Sequence, residues 1–480
     1  MTAKAYSIDG RTFAFEAPLS AAMPIGSYVV LTTDAGHRIL GQLLREEVRS
    51  SNAGGQEPTI AGGGTLITPL DAAGSADLDR AAAFGAATLQ LAETDAVAAH
   101  LTSALGRSVG LELGHMQRLA DVPARLHAGG FGRHTFLCGQ SGSGKTYTLG
   151  LILERLLLDT TLKMTVIDPN SDYVNLSSLR PQADIGLSDD EYSSVAPRYA
   201  SVASKVHTFG GDGSPRRLRA RFGRLSFQQQ TMVLGLDPLR DAEEFNAFVR
   251  AVRRLDDDYT LNDVMAVVRS SFDDDLRRLG LRIENLGIAH QSIWAGAQEP
   301  IMDAVPDDWR MLIADLGTLS SFAESSIAAA ALLGRIWDQR HGREPMLVVI
   351  DEAHNVCPQV PDDANQALAT EHVIRIAGEG RKYGLYLLLS TQRPAKVHQN
   401  VLSQCDNLLL MRMNSVTDIQ SLSQTFSYAP RGLVEQAASF GLGEGLAAGR
   451  IAPDPLLFKS GRRLSEEGGS DVPSTWARTI

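Results

Sequence analysis

Apolar positions along the chain change their rhythm near Arg133. Before it they fall in short runs rich in Val, Ile, Thr and Tyr, broken by Gly and Asp: Tyr6 to Phe15, Ser27 to Leu44, Thr65 to Thr68, Ala86 to Gln90 and Val109 to Leu113. Such runs read as strands, and their number predicts a small barrel or sandwich. The Gly/Ser-rich stretch from Ser50 to Gly64 reads as a loop between them. After Arg133, apolar runs alternate with helical stretches. His134 to Cys138 precedes a Gly-rich turn and the periodic segment Thr146 to Leu158. Leu162 to Ile167, Met311 to Ala314, Met346 to Ile350 and Leu385 to Leu389 follow as further buried-strand candidates. This alternation predicts an α/β core with a parallel sheet. Phe245, Val249, Val252 and Leu255 recur at helical spacing, which predicts a helical insert over residues 225–308 with that stripe in its core. From Leu464 the chain is polar and Gly/Ser-containing and reads as a tail. The expected organisation is a barrel at 1–112 for assembly or partner contact, a core at 113–463 and a tail at 464–480.

Composition narrows the class without choosing a function. The chain has 480 residues, 44% hydrophobic and 21% charged, ordinary values for a globular chain with a buried core. No run approaches the roughly 18 apolar residues that a membrane span needs. The N-terminal residues Met1 to Tyr6 lack an apolar signal core. Three cysteines, Cys138, Cys357 and Cys405, form no CxxC pair. A reducing, cytoplasmic compartment is therefore expected, without a zinc site or a disulfide framework. The net charge of −11 argues against an open basic surface for nucleic acid, although a ring can gather a few cations in a central channel.

One segment carries specific chemistry. Gly139-Gln140-Ser141-Gly142-Ser143-Gly144-Lys145-Thr146 matches the phosphate-loop pattern GxxxxGK[ST] at every fixed position, with a strand before and a helix after. Glycines there let backbone N–H groups turn toward phosphates, and the helix N-terminus adds its positive dipole end. Lys145 is expected to reach the β- and γ-phosphates, and Thr146 to offer a hydroxyl to Mg²⁺. The run Met346 to Ile350 ends in Asp351-Glu352. Asp351 is expected in the Mg²⁺ shell, and Glu352 as the group that orients and polarises the attacking water, which suits ATP hydrolysis. Asp168 and Asp315 also end apolar runs, but neither is followed by an acid. Gln392, at the end of the next strand, is expected beside the γ-phosphate. That strand fits the P-loop branch in which an extra strand lies between those of the phosphate loop and the acidic pair.

Further segments make a family resemblance. Arg133-His134 precedes the phosphate loop, and Val166-Ile-Asp-Pro-Asn-Ser-Asp-Tyr173 follows the second strand. Asp351-Glu-Ala-His-Asn355, Gly378-Glu-Gly-Arg-Lys-Tyr-Gly384, Ser390-Thr-Gln-Arg-Pro394 and Leu402-Ser-Gln-Cys405 complete the set. Together they resemble the HerA branch of the HerA/FtsK superfamily of hexameric DNA motors. Asp351-Glu-Ala-His354 is also the hallmark of DEAH-box RNA helicases, which carry both motifs within one compact lobe. Here Lys145 and Asp351 stand 206 positions apart. The resemblance implies a RecA-like core behind a small β-barrel, a homo-hexameric ring, and ATP at subunit boundaries. It also implies an arginine supplied by the neighbour, with Arg381 the first candidate and Arg133 the second. Asp168 occupies the family's acidic position after the second strand, with a secondary role at the nucleotide. Asn170-Ser171 departs from the His-Gly of many relatives.

The material on which such a motor acts is less legible. Arg216, Arg217, Arg219, Arg221 and Arg224 form the densest basic run; as a strand they would share faces, and the alternative is a solvated edge. Lys382, Lys396 and His398 are candidates for a channel. Three functions stay open: a double-stranded DNA translocase or helicase working with a nuclease, a ring scaffold whose ATPase regulates a bound effector enzyme, and a conjugation or secretion ATPase. The absence of a membrane segment weighs against the third.

Overall fold

The computed structural model describes residues 3–49, 58–70, 82–214, 216–296, 299–301 and 305–469. They fall into two compact units. The first comprises 1–131, 138–148 and 406–462, and the second 132–137, 149–405 and 463–480.

In the first unit, strands β1 (Ala3–Ser7), β2 (Thr12–Pro18), β3 (Tyr28–Thr33), β4 (Arg38–Arg49), β5 (Thr59–Leu70) and β6 (Phe84–Leu91) close into a barrel in the order β1-β2-β5-β4-β3-β6. Alternation of apolar and polar residues sends Phe13, Phe15, Val29, Leu31, Leu43, Ile60 and Leu89 inward. Truncating Phe13 or Phe15 to alanine there would cost about 3–5 kcal/mol. The barrel corrects the reading of 50–64 as a loop. Residues 50–57 lie outside the described residues, but Thr59 to Gly64 belong to β5. Their glycines serve close approach: a Cβ on Gly62 would sit 2.3 Å from the Phe15 ring, and one on Gly64 would sit 1.9 Å from the Gln42 carbonyl oxygen. The unit continues in an antiparallel sheet, ordered β15 (Cys405–Met411), β16 (Glu444–Gly449), β17 (Leu456–Ser460), β7 (Gly110–Met116) and β8 (Leu119–His127). The buried Gln42 of the barrel donates from Nε2 to the Pro455 carbonyl at 3.0 Å.

In the second unit, the sheet runs in the order β11 (Val206–Phe209), β12 (Met311–Asp315), β10 (Lys163–Asp168), β13 (Met346–Ile350), β14 (Leu385–Thr391) and β9 (His134–Cys138). From β11 to β14 neighbours are parallel. Strands β12 and β13 are buried at every residue, which explains their continuous apolar runs. Strand β14 lies between β13 and β9, the arrangement expected for the P-loop branch. The register brings three acids to neighbouring tips: Asp168 pairs with Asp315, and Ile167 with Ile350, the residue before Asp351.

Between residues 225 and 308 the named α-helices are Phe227–Val233, Ala242–Val252, Leu261–Arg269 and Asp274–Asn285. The expected stripe is displaced. Phe245, Val249, Val252 and Leu255 are half-buried, and the buried face belongs to Ala247, Phe248 and Ala251. Phe227 sits between Phe245 and Phe248, with ring centroids 5.6 Å from each, and so covers the side that the stripe would have turned inward. The expected tail also begins differently. Leu464 and Ser465 are buried, and their N–H groups donate to the buried Glu154 carboxylate at 3.0 Å. Residues 470–480 lie outside the described residues. Among the described residues no helix is long and apolar enough to cross a membrane, and the three cysteines are buried.

Candidate nucleotide-binding elements

The first element lies in the first unit. Strand β9 ends at Cys138 and a fifteen-residue helix begins at Lys145, so the chain must reverse within six residues. It does so with Gly142 at φ 70° and Gly144 at φ 90°, a left-handed region that residues with a Cβ avoid. Distant segments brace the turn. Gln140 donates its N–H to the Arg412 carbonyl and accepts from the Asn414 N–H, each at 3.0 Å. Arg412 donates to the Gly142 carbonyl at 2.8 Å, and the Gly443 N–H donates to the Ser143 carbonyl at 2.9 Å. Sequence reasoning missed these three residues, because nothing local to them marks a loop 270 or more positions away in the chain.

Does this turn suit a phosphate? Ser143 is fully buried, yet its Oγ has no hydrogen-bond partner, an arrangement that ordinarily calls for an absent ligand or water. A Cβ on Gly139 would lie 2.7 Å from that Oγ and 2.6 Å from Met411 Cβ, so only glycine leaves the space open. Lys145 is buried and Thr146 half-buried at the helix start, while Ser141 and Gly142 are exposed. An unused hydroxyl, a lysine and a helix N-terminus are donors, and the group they fit is an anion with several acceptor oxygens.

The second element lies in the second unit, at the tips of β10, β12 and β13. Asp351 is fully buried. Its Oδ1 accepts the Glu352 N–H at 2.9 Å and its Oδ2 accepts the Tyr173 hydroxyl at 3.0 Å. Asp168 is equally buried and accepts N–H bonds from Asn170, Asp172 and Tyr173 at 3.3, 3.0 and 2.9 Å. Burial, with the charge of Asp351 adding, pushes the Asp168 carboxyl up to about 7, against the pull of the Tyr173 and Asp172 N–H groups. Burial and then the surrounding carboxylates raise the Tyr173 phenol well above its ordinary value, so it stays a donor. Asp315 accepts from Ser171 Oγ at 2.7 Å and from Thr318 Oγ1 at 3.2 Å. Asp168 and Asp315 therefore spend their oxygens on the turns around them.

Glu352 is held apart from ordinary geometry. Its φ of 42° is left-handed, a strain of roughly 1–3 kcal/mol for a residue with a side chain. Gln392 donates from Nε2 to its Oε1 at 2.9 Å, and His354 Nδ1 lies 3.2 Å from its Oε2 and 3.0 Å from Thr391 Oγ1. The strand end thus brings Gln392 to Glu352, and it adds His354 and Thr391, to which the motif reading gave no role. Arg381 is exposed on the short turn Gly380–Tyr383, and Arg133 is exposed just before β9. Lys382 and Lys396 are exposed, whereas His398 Nδ1 accepts the Asn400 N–H at 3.2 Å.

The arginine run does not form a strand. It is an irregular edge with isolated bridges at Arg217 and Ala220 and a single turn at Phe222–Arg224. Arg217 pairs with Asp212, Arg221 and Arg224 lie 3.7 and 2.9 Å from Asp258, and Arg216 contacts His207 at 2.7 Å. Asp212 and Asp258 thus answer three of the five arginines, Arg217, Arg221 and Arg224.

Among the described residues no group of three His, Cys, Asp or Glu is placed to hold a metal unaided. Mg²⁺ rarely needs one, since one or two protein oxygens and the substrate phosphates commonly suffice.

The family model for the central domain of helicase HerA matches residues 111–306. A probable helicase of Methanocaldococcus jannaschii is 22% identical over 382 residues, covering 75% of this chain and 69% of that protein. The DNA double-strand break repair helicase HerA of Sulfurisphaera tokodaii is 23% identical over 383 residues, covering 73% of this chain and 69% of that one. Among solved structures, VirB4 of Thermoanaerobacter pseudethanolicus is similar at a TM-score of 0.48 and 16% identity, covering 73% of this chain and 96% of that one.

Proposed function

The chain belongs to the HerA/FtsK superfamily of P-loop ATPases, and on that footing we propose that it is an ATP-hydrolysing ring motor that moves on or unwinds double-stranded DNA together with a nuclease or another effector protein. The observation that carries the hydrolytic part is the strained Glu352, gripped by Gln392 beside the buried Asp351. A carboxylate kept in so unfavourable a backbone conformation is typical of groups that act rather than pack.

In this reading the N–H groups from Gly139 to Gly144 and the Ser143 hydroxyl hold phosphate oxygens, and Lys145 meets the β- and γ-phosphates. Thr146 and Asp351 would be the protein ligands of Mg²⁺. Bound Mg²⁺ supplies polarisation of the phosphoryl oxygens and neutralises their charge. Glu352 orients the attacking water and draws its proton, and Gln392 fixes the direction of Glu352. Asp168 shapes the turn after β10. Arg381, or failing it Arg133, reaches the nucleotide of an adjacent copy in a homo-hexamer, where an arginine is worth about 10³–10⁵ in rate.

The DNA substrate rests on relatives named as DNA break repair helicases. The test is ATP turnover by the purified protein with and without linear duplex DNA, alongside its native mass. Stimulation by DNA in a ring-sized assembly supports the motor. A second reading, a ring whose ATPase regulates a bound effector, is favoured by the aspartates that pair with the arginine run and by the net charge of −11. Hydrolysis that ignores DNA in a well-formed ring would decide for it.

A further inference from the structure

We propose that Tyr173 sets the orientation of the Asp351 carboxylate for Mg²⁺, a positioning role that rests on the reading of Asp351 as a metal ligand. The phenol is fully buried and reaches Asp351 Oδ2 from the turn after the neighbouring strand. A carboxylate has about four lone-pair sites. The Glu352 N–H and the Tyr173 hydroxyl take one on each oxygen. The two bonds together stop the group from rotating about a torsion that is otherwise broad.

The donor itself is held. The Tyr173 N–H donates to Asp168 Oδ2 at 2.9 Å, and the Asp172 N–H to Asp168 Oδ1 at 3.0 Å. Ser171, left-handed at φ 64°, bonds Asp315 at 2.7 Å. The Gly468 N–H donates to the Asp172 carbonyl at 3.1 Å. The turn is thus pinned to the tips of two strands and to the chain near its C-terminus, and it delivers one hydroxyl to the tip of a third. A phenylalanine would fill the same space and deliver nothing. Partners that orient a ligand in this way typically account for about 10–100-fold in metal affinity.

The experiment uses the full chain with a non-hydrolysable ATP analogue and Mn²⁺, whose binding is followed by electron paramagnetic resonance. Tyr173→Phe should weaken Mn²⁺ binding at least about tenfold, with the affinity for metal-free analogue unchanged, and Asp351→Asn should abolish the site. 3-Fluorotyrosine at position 173 keeps the fold and the hydroxyl, and its fluorine resonance should move when Mg²⁺ and analogue are added together. Wild-type Mn²⁺ affinity in Tyr173→Phe, even with a lowered melting temperature, would overturn the proposal and leave Tyr173 a core residue. So would a fluorine resonance indifferent to Mg²⁺. Wild-type Mn²⁺ affinity in Asp351→Asn would instead sink the metal assignment on which the proposal rests.

Discussion

Two parts of the molecule are the candidates for the proposed chemistry, and they are specified in different ways. The phosphate loop is eight consecutive residues, Gly139 to Thr146, whose shape follows from left-handed glycines at 142 and 144. The cluster around Asp351 and Glu352 is drawn from the ends of β10, β12, β13 and β14, and its contacts join residues as far apart as Tyr173 and Asp351. A loop built from backbone can be written in a short motif. A cluster built from side chains of parallel strands depends on register, and one slipped residue would turn each tip the other way. The contrast predicts that the loop fails by losing the nucleotide, whereas the strand tips fail by losing chemistry on a nucleotide still bound.

The largest effect belongs to the loop. Lys145→Ala removes the cation proposed to face the phosphates, and turnover should fall to background, by more than about 10³-fold, with nucleotide binding weakened in a fluorescent-analogue titration. Retained turnover would break the assignment. Arg381→Ala should leave binding nearly intact and lower hydrolysis by about 10³-fold. Mixing it with Lys145→Ala protein should restore part of the rate, because some boundaries then contain both groups. No recovery in demonstrably mixed rings would place the arginine within one subunit. Gly144→Ala is smaller: the new Cβ would lie 3.0 Å from the Gly443 N at φ 90°, a strain of roughly 1–3 kcal/mol. Nucleotide affinity should drop about tenfold or more, and wild-type affinity would show that the turn tolerates side chains.

The smallest effect is a pH slope. The folded Asp168 carboxyl is raised to about 7, above about 3.9 in the unfolded chain. Its contribution to stability is then complete below about pH 4 and lost as pH rises through 7, because the folded state binds the extra proton. Unfolding of metal-free protein between pH 5 and 8 should lose stability with rising pH in the wild type and lose less in Asp168→Asn. Equal slopes would contradict the shift.

How far the sequence spoke follows from the same contrast. His134–Cys138 and Met346–Ile350 could be read to the residue, since both strands are buried at every position and so have no solvent-facing residues to blur their ends. The barrel glycines misled, because Gly62 to Gly64 look like a turn when read locally and serve instead to let Phe13 and Phe15 cross β5. The insert stripe slipped because Phe227, outside the helix, decides which side of it is covered. The arginine run stayed open between a strand and a solvated edge, because its answering acids, Asp212 and Asp258, are not visible as partners in a linear pattern. At the site, the loop and the acidic pair stood out, while Arg412, Asn414 and Tyr173 did not: they act through long-range bonds that leave no periodic or spacing signal.

The most direct test of the account separates binding from chemistry at Glu352. In Glu352→Gln the Asp351 carboxylate and the phosphate loop are untouched, so Mg-ATP should bind with wild-type affinity while steady-state turnover falls by about 10²–10⁴-fold. Wild-type turnover, or loss of ATP binding in a folded protein, would contradict the assignment of Glu352 as the residue that activates water.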